Sequence, residues 1–416
     1  MSALTLSEAL LLARDQAVQP WHVVAVLILD RPISRDELAM RIAERIGYAP
    51  RFRQQVSGTG VQSWTDDTGF RIAGHLREVT LQPGSPLEEW VSAELGRPLD
   101  RLHPLWDATL VSGLGGRRVA LVVRVHPALI DGVDNVHLLQ ELLDDLPDPI
   151  VGPAPQWTPT PADEPGLGSV FGALSDPLRT LREAAAGLSG MAESAARNAQ
   201  ATQVPRYVAG AEVELALVER AKHRHGGTTH DVLLSIATAG VRGWQLDGSE
   251  PLRDLVALVP LAVADEERTS AIGCRLSAQF ISLPVTAPRG AERLAALASL
   301  TQAGSDAEST VPARELIDLA GFAPPTIHTL AAGLIVAGRP HEALIVNVPG
   351  PTHTRFLGEA EVIGSYQVLS TVDSQQISIG ITSYRGKVTI AATAIHPLPH
   401  FARNVGEELA RLTGEA

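Results

Sequence analysis

RRVALVVRVHPALIDGVDNVHLLQELLDDLP (117–147) decides how the first half of the chain folds. Arg117 to Val125 is an apolar, β-branched run with the length of a buried strand. Pro127 biases His126 towards extended backbone, so the strand runs out to the histidine. Asp131 followed by Gly132 reads as a helix start with the carboxylate as its cap. Val136, Leu139 and Leu143 then share one helical face, which stops before Pro147. Strand, short turn and helix in that order are a building unit of an α/β fold.

The same unit occurs upstream. Pro20 to Asp30, PWHVVAVLILD, reads as a buried strand, and SRDELAMRIAERI after it has a serine start signal, a Glu three residues on, and Leu38, Ile42 and Ile46 at helical spacing. A helix is expected over Pro86 to Glu94, followed by RPLDRLHPLWDATLVSGL (97–114) as a loop. From Leu146 to Gly166 prolines are too frequent for a regular element, so this segment reads as an extended inter-domain connection. Ser169 to Ala201 reads as an amphipathic crossover helix that packs on its own protein, with a lipid-facing helix as the alternative.

Beyond it, helices are expected at Leu215–His223, Thr229–Trp244, Glu292–Gly304 and Phe401–Leu412. Strands are expected at Leu255–Val263, Leu276–Leu283, Ala343–Val348, Ile377–Tyr384 and Lys387–Ala394. Arg385-Gly386 between the last two is the clearest hairpin signal in the chain. The chain therefore divides into an N-terminal domain (1–146), a proline-rich linker with its crossover helix (147–206) and a C-terminal domain (207–416), all of α/β (α+β) class.

With 416 residues, 45% of them hydrophobic, the chain exceeds what one core usually supports. A net charge of −13 supplies no basic field for a phosphate backbone, which argues against nucleic acid as a partner. Cys274 is the single cysteine, so no internal disulfide forms, and the start MSALTLSEALLLARDQ lacks the pattern of a secretory signal. A cytoplasmic protein is expected, with any membrane contact peripheral because no apolar run approaches the ~20 residues of a spanning helix.

Several residues invite chemistry. Alternation along the strand puts His126 with Arg124 and Val122, and Pro127 with Val125 and Val123. His126 is read as a structural histidine with its hydrogen bonds satisfied; rotation into a cleft by a bend after Val125 is the alternative. His223, His225 and His230 match no zinc spacing and no metal is expected; Gly226-Gly227 reads as a helix break, with Thr228 or Thr229 capping the next helix. His22 and His103 each read as packed or surface histidines. Gly350 between Pro349 and Pro351 gives a stiff chain with one permissive joint, which reads either as a structural turn or as a close backbone approach to a ligand.

The order of these pieces resembles the bacterial wax ester synthase / acyl-CoA:diacylglycerol acyltransferase family, within the coenzyme A-dependent acyltransferases. LTLSEALLLARD and PWHVVAVLILD look like its opening, Pro104-Leu105-Trp106 like its P-L-W element, and HPALIDG stands where H-H-x-x-x-D-G belongs, with Pro127 in place of the second histidine. GGTTHDVLLSIATAGVRGW is similar to its N-D-V helix start, with His230 in place of asparagine, and Cys274 likewise stands where asparagine is usual. Asn347-Val348-Pro349-Gly350-Pro351 is a complete N-V-P-G-P, and Ser383-Tyr384-Arg385-Gly386 matches S-Y-x-G.

The resemblance implies two chloramphenicol-acetyltransferase-like domains with a central inter-domain tunnel, where acyl-CoA and a hydroxyl acceptor meet as substrates, with no other cofactor. It implies a general base at position 127, which proline leaves empty, and an architectural Asp131. His126 and Asp131 are the candidate catalytic residues, with Gly132, Asn347, Pro349, Gly350 and His22 as candidate substrate-binding residues. Weak or altered O-acyltransferase activity, giving triacylglycerol or wax ester, is expected, and peripheral contact with a membrane or lipid droplet is compatible with such products. The alternatives are a non-catalytic member that binds acyl ligands or a partner protein, and transfer to a specialised acceptor, such as an amine, that needs no protein base.

Overall fold

The computed structural model describes residues 2–15, 19–58, 62–130, 138–147, 204–248, 250–264, 274–306, 341–372 and 375–415, with isolated positions between 149 and 158. The strands among them are, in the first half, β1 (Ser2–Ala3), β2 (Val23–Leu29), β3 (Gln54–Ser57), β4 (Ser63–Asp66), β5 (Leu76–Thr80), β6 (Trp106–Ser112) and β7 (Val119–Val125). The second half supplies β8 (Tyr207–Glu214), β9 (Leu255–Ala264), β10 (Cys274–Leu283), β11 (Ala343–Val348), β12 (Phe356–Leu357), β13 (Ala360–Leu369), β14 (Ile377–Tyr384) and β15 (Lys387–Ala394).

Two mixed six-stranded sheets result, in the orders β12-β13-β2-β7-β6-β5 and β10-β9-β11-β14-β15-β8, beside a small β1-β4-β3 sheet. The halves are interlocked, because β13 comes from late in the chain yet pairs antiparallel with β2 along Leu369↔Val23 to Val362↔Leu29.

The apolar composition of β2 and β7 follows from burial on both faces. Ala25, Leu27, Leu121 and Val123 face a cluster containing Leu38 and Ile42 of the helix Arg35–Arg45. Val24, Val26 and Val122 face Leu87, Val91 and Leu95 of the helix Leu87–Leu95. In the second sheet Ala343 and Ile345 face the helical layer that includes Ile236 and Leu297, while Leu344, Val346 and Val348 join the cluster of the first half. One apolar cluster thus spans both halves.

Most expected elements are observed: β11, β14 and β15 with the expected bounds, and helices at Leu215–His225, Thr229–Asp247, Gly290–Asp306 and Phe401–Thr413. Ser34 caps its helix by accepting from the Glu37 amide. Arg385 (φ 50°) and Gly386 (φ 81°) make the hairpin turn with both central residues left-handed.

The stretch 97–114 is not all loop, because its second part is β6, paired with β7 on one side and β5 on the other. Its strand pattern is masked by Asp107, which turns inward to a buried arginine. β13 also escapes notice, since Gly364-Ser365 interrupts its apolar run and its pairing with β2 shifts between Val362 and Gly364. Asp131, Gly132 and the residues to 137 lie outside the described residues, as do 159–203 and with them the expected crossover helix. No helix among the described residues is long and apolar enough to cross a membrane.

Candidate active site

β7 ends in a tight turn at the motif. His126 stays extended (φ −72°, ψ 134°), as a residue before proline must, and its amide donates to the Leu105 carbonyl at 2.9 Å. Pro127–Leu129 form one turn of 3₁₀ helix, closed by the Leu129 amide on the His126 carbonyl at 2.9 Å and the Ile130 amide on the Pro127 carbonyl at 3.1 Å. Pro127 is buried, and Ala128, Leu129 and Ile130 lie in the cluster that also holds Leu11, Leu12, Val346 and Val348. Position 127 therefore sits inside the molecule, next to residues whose apolar cluster takes in elements of both halves.

The His126 ring is fully buried. Its Nδ1 accepts the Ala128 amide at 3.0 Å, so in the neutral ring Nδ1 carries no proton and Nε2 does. Among the described residues Nε2 has no hydrogen-bond partner, and Asp15 Oδ2 lies 3.7 Å away. Burial pushes the His126 pKa down to about 4, with Asp15 opposing and Arg101 reinforcing the shift. The expectation of a satisfied structural histidine thus holds for one nitrogen only. As arranged, the ring's single lone pair is already committed to a backbone amide, which a general base cannot afford.

His22 is the cross-strand neighbour, one position beyond the Val23↔Val125 pair. It is buried, Nε2 is again without a partner among the described residues, and its backbone brackets Ser370, whose Oγ donates to the His22 carbonyl at 2.8 Å and accepts the His22 amide at 3.4 Å. Burial, with Arg124 and Arg206 nearby, holds its pKa well below the ordinary histidine range. Asp15 ends the first helix beside this pair, accepting the Trp21 amide at 2.7 Å and Arg101 at 3.0 Å.

Behind the row lies a buried ionic network. Arg124 donates to both oxygens of Asp107 (2.9 and 2.5 Å) and to the carbonyls of Glu94 and Arg97. Burial alone would raise the Asp107 pKa, yet its bonds to Arg124 and Arg97 carry it below the usual carboxylate range. The P-L-W element braces the same strand end, with the Leu105 carbonyl on His126 and the Trp106 indole on the Phe52 carbonyl at 2.8 Å.

In the C-terminal half Thr228 caps the helix Thr229–Asp247 in a capping box with Asp231, so Asp231 is architectural. Asn347, at the end of β11, donates through Nδ2 to Nδ1 of His230 at 3.1 Å, and His230 Nε2 is buried and without a partner among the described residues. Burial lowers the His230 pKa while Asp231 opposes the shift. Pro349 is exposed. Gly350 approaches β14: a Cβ there would stand 2.1 Å from the Ser383 carbonyl oxygen, so the permissive joint serves a backbone contact.

The structure brings His126 to His22 and Asn347 to His230. His225 is bound to the Leu412 carbonyl, and no group of three or more metal-ligating side chains occurs among the described residues. Sequence reasoning missed Asp15, Asp107, Ser370 and Arg206. Arg124, a charge inside an otherwise apolar strand, was the available signal for a buried partner.

Residues 4–206 match the wax ester synthase/diacylglycerol acyltransferase catalytic domain, and residues 272–412 match the WS/DGAT C-terminal domain. A protein of Mycobacterium tuberculosis (strain H37Rv), named "Probable diacyglycerol O-acyltransferase", is 25% identical over 95% of both chains. The fold is similar to that of a wax ester synthase/diacylglycerol acyltransferase from Marinobacter aquaeolei VT8, with TM-score 0.67 and 23% identity over 100% of this chain and 99% of that one. It is also similar to the first condensation domain of the CDA synthetase, at TM-score 0.51 and 15% identity over 99% and 97%.

Proposed function

Because the chain belongs to the wax ester synthase/diacylglycerol acyltransferase family, we propose that it is an acyl-CoA-dependent O-acyltransferase, with an activity altered by the loss of the imidazole at position 127. The observation that carries this reading is the position of the motif turn. Ala128 and Leu129 pack in one cluster with Val346 and Val348 of the C-terminal half, at the junction where substrates entering between two lobes would meet.

The reaction joins the acyl group of a coenzyme A thioester to a hydroxyl acceptor, a diacylglycerol or a long-chain alcohol, giving triacylglycerol or wax ester. His126 shapes the turn, and His22, Asn347, Pro349 and Gly350 are assigned to the border of the acyl and acceptor path; Asp131 and Gly132, outside the described residues, are assigned to the same motif on sequence alone. Access of such apolar acceptors is compatible with peripheral contact at a membrane or lipid-droplet surface.

Purified protein given long-chain acyl-CoA with diacylglycerol or fatty alcohol is expected to release free CoA above the rate without acceptor. Stabilisation by acyl-CoA without release of CoA from any pairing would instead establish a binding protein on the same scaffold.

A further inference from the structure

Resting on the acyl-CoA part of that reading, we propose that the acceptor best suited to this site is a neutral amine on an apolar body, which gives an amide in place of an ester. The motif turn has no backbone donor left to offer. The His126 amide is bonded to the Leu105 carbonyl, the Ala128 amide to His126 Nδ1, the Leu129 amide to the His126 carbonyl and the Ile130 amide to the Pro127 carbonyl. Pro127 itself has no N–H, and every side chain from 127 to 130 is hydrocarbon.

The proton acceptors recorded beside the turn are committed as well. His126 Nδ1 is held by the Ala128 amide. The first helix, Leu6–Arg14, packs on the turn, and its carboxylates serve its own two ends. Glu8 accepts the Thr5 amide at 2.7 Å and pairs with Arg51, while Asp15 accepts the Trp21 amide at 2.7 Å and pairs with Arg101 at 3.0 Å. Tyr384, in the same apolar cluster, donates its hydroxyl to the Val362 carbonyl and accepts the Arg355 amide. Among the described residues the turn therefore offers apolar contact and position, with no base.

Hydroxyls and amines make different demands on such a turn. An alcohol, with a pKa near that of water at about 16, attacks a thioester only as its proton is drawn off, and a general base contributes about 10²–10⁴ in rate to that step. A free amine forms its new bond with a lone pair that carries no proton. It also enters uncharged, whereas an alkoxide or ammonium among Leu11, Leu12, Val346 and Val348 would give up its water without gaining a partner. Burial thus selects the free base, which for a weakly basic amine is the form present at pH 7. Holding thioester and nucleophile together is then the whole contribution of the turn.

In the reaction assigned to the site, the amine nitrogen forms a C–N bond to the thioester carbonyl carbon as the carbonyl π pair moves onto oxygen. The C–S bond breaks when that pair returns, and the ammonium proton of the adduct passes to the departing thiolate. Amide and free CoA are the products. No proton moves to or from the protein, and no net charge develops in the cluster.

The test measures CoA release by the full chain from long-chain acyl-CoA with para-octylaniline, with para-octylphenol of the same shape, and with dodecanol, the rate without protein being subtracted and the product identified by its mass. The aniline is expected to exceed both hydroxyl acceptors by about a hundredfold in kcat/KM, the lower end of what a missing base costs a hydroxyl. Its rate should be flat from about pH 6.5 to about pH 8.5, because His126, with a pKa of about 4, stays neutral throughout. The rate with dodecylamine should rise about tenfold per pH unit over the same range, as free base replaces an ammonium with a pKa of about 10.4. Pro127→His, which returns an imidazole to the turn, should narrow the preference for the amine. Hydroxyl acceptors that match the aniline, or a preference that Pro127→His leaves unchanged, overturn the amine assignment and leave the transferase reading intact. A wild-type chain that releases no CoA with any acceptor overturns both.

Discussion

The amide of Ala128 donates to Nδ1 of His126 at 3.0 Å inside a turn that begins with proline, and this bond makes the first histidine of the motif part of the turn's own scaffold. His126→Ala removes a buried acceptor and a packed ring together. The expected cost is about 2–4 kcal/mol, read as a lowered urea midpoint at unchanged slope. In the fraction that stays folded, kcat should fall less than tenfold. A loss beyond a hundredfold with stability intact would make His126 the base after all.

The ion pair of Arg124 and Asp107 is the largest charge burial beside the motif. Asp107→Asn leaves the guanidinium, 1% exposed, with carbonyl partners and Glu94 but without its bidentate carboxylate. Breaking one side of such a pair typically costs about 3–5 kcal/mol. Differential scanning calorimetry should show a clear drop in melting temperature; an unchanged melt would mean that Glu94 alone neutralises the arginine.

These two sites differ in how well the sequence announced them. The strand Val119–Val125, the turn Pro127–Leu129 and the helix Leu138–Leu142 were legible because each local signal agreed: apolar β-branched run, X-Pro, helix-period apolar face. The motif order was legible too, since it depends on residue identity alone. Burial of Asp107, and with it β6, was not, because an inward carboxylate reads as loop until its partner Arg124 is known to lie on the next strand. The His126–Ala128 bond was equally hidden. Strand alternation gives the side of the sheet on which the ring lies and says nothing of which ring nitrogen is occupied. Nor does any sequence period announce β13, whose pairing with β2 spans more than 300 residues of chain and rests on a register shift.

Glycine positions provide an internal control on close approach. At Gly350 a methyl group would lie 2.1 Å from the Ser383 carbonyl, so Gly350→Ala must push the N-V-P-G-P turn off β14 and is expected to cost about 1–3 kcal/mol. Gly406, within the helix Phe401–Thr413, has nothing within 4 Å of the same added atom. Gly406→Ala should therefore stabilise the protein by about 0.5–1 kcal/mol. Thermal melts of the two variants should move in opposite directions, and a shared direction would contradict the packing at Gly350.

His22 and His126 make stability depend on mild acid. Both rings are buried and held below their ordinary pKa, and unfolding returns them to about 6.5, where they bind protons more readily than in the fold. The unfolded state thus gains protons first, and their contribution is complete above about pH 6.5 and lost as the pH falls. For His126 the loss levels off near its folded value of about 4, a span worth about 3 kcal/mol. The carboxylates Asp107 and Glu94, held low by their arginines, lose their own contribution in a more acid window, below the ordinary carboxylate pKa. Urea unfolding at pH 7 and pH 5 separates the two classes. Wild type should lose stability over this interval, and His126→Gln, lower in stability at pH 7, should show a flatter dependence. A profile unchanged by that substitution would mean that the His126 ring meets water, or a charge, that its burial excludes.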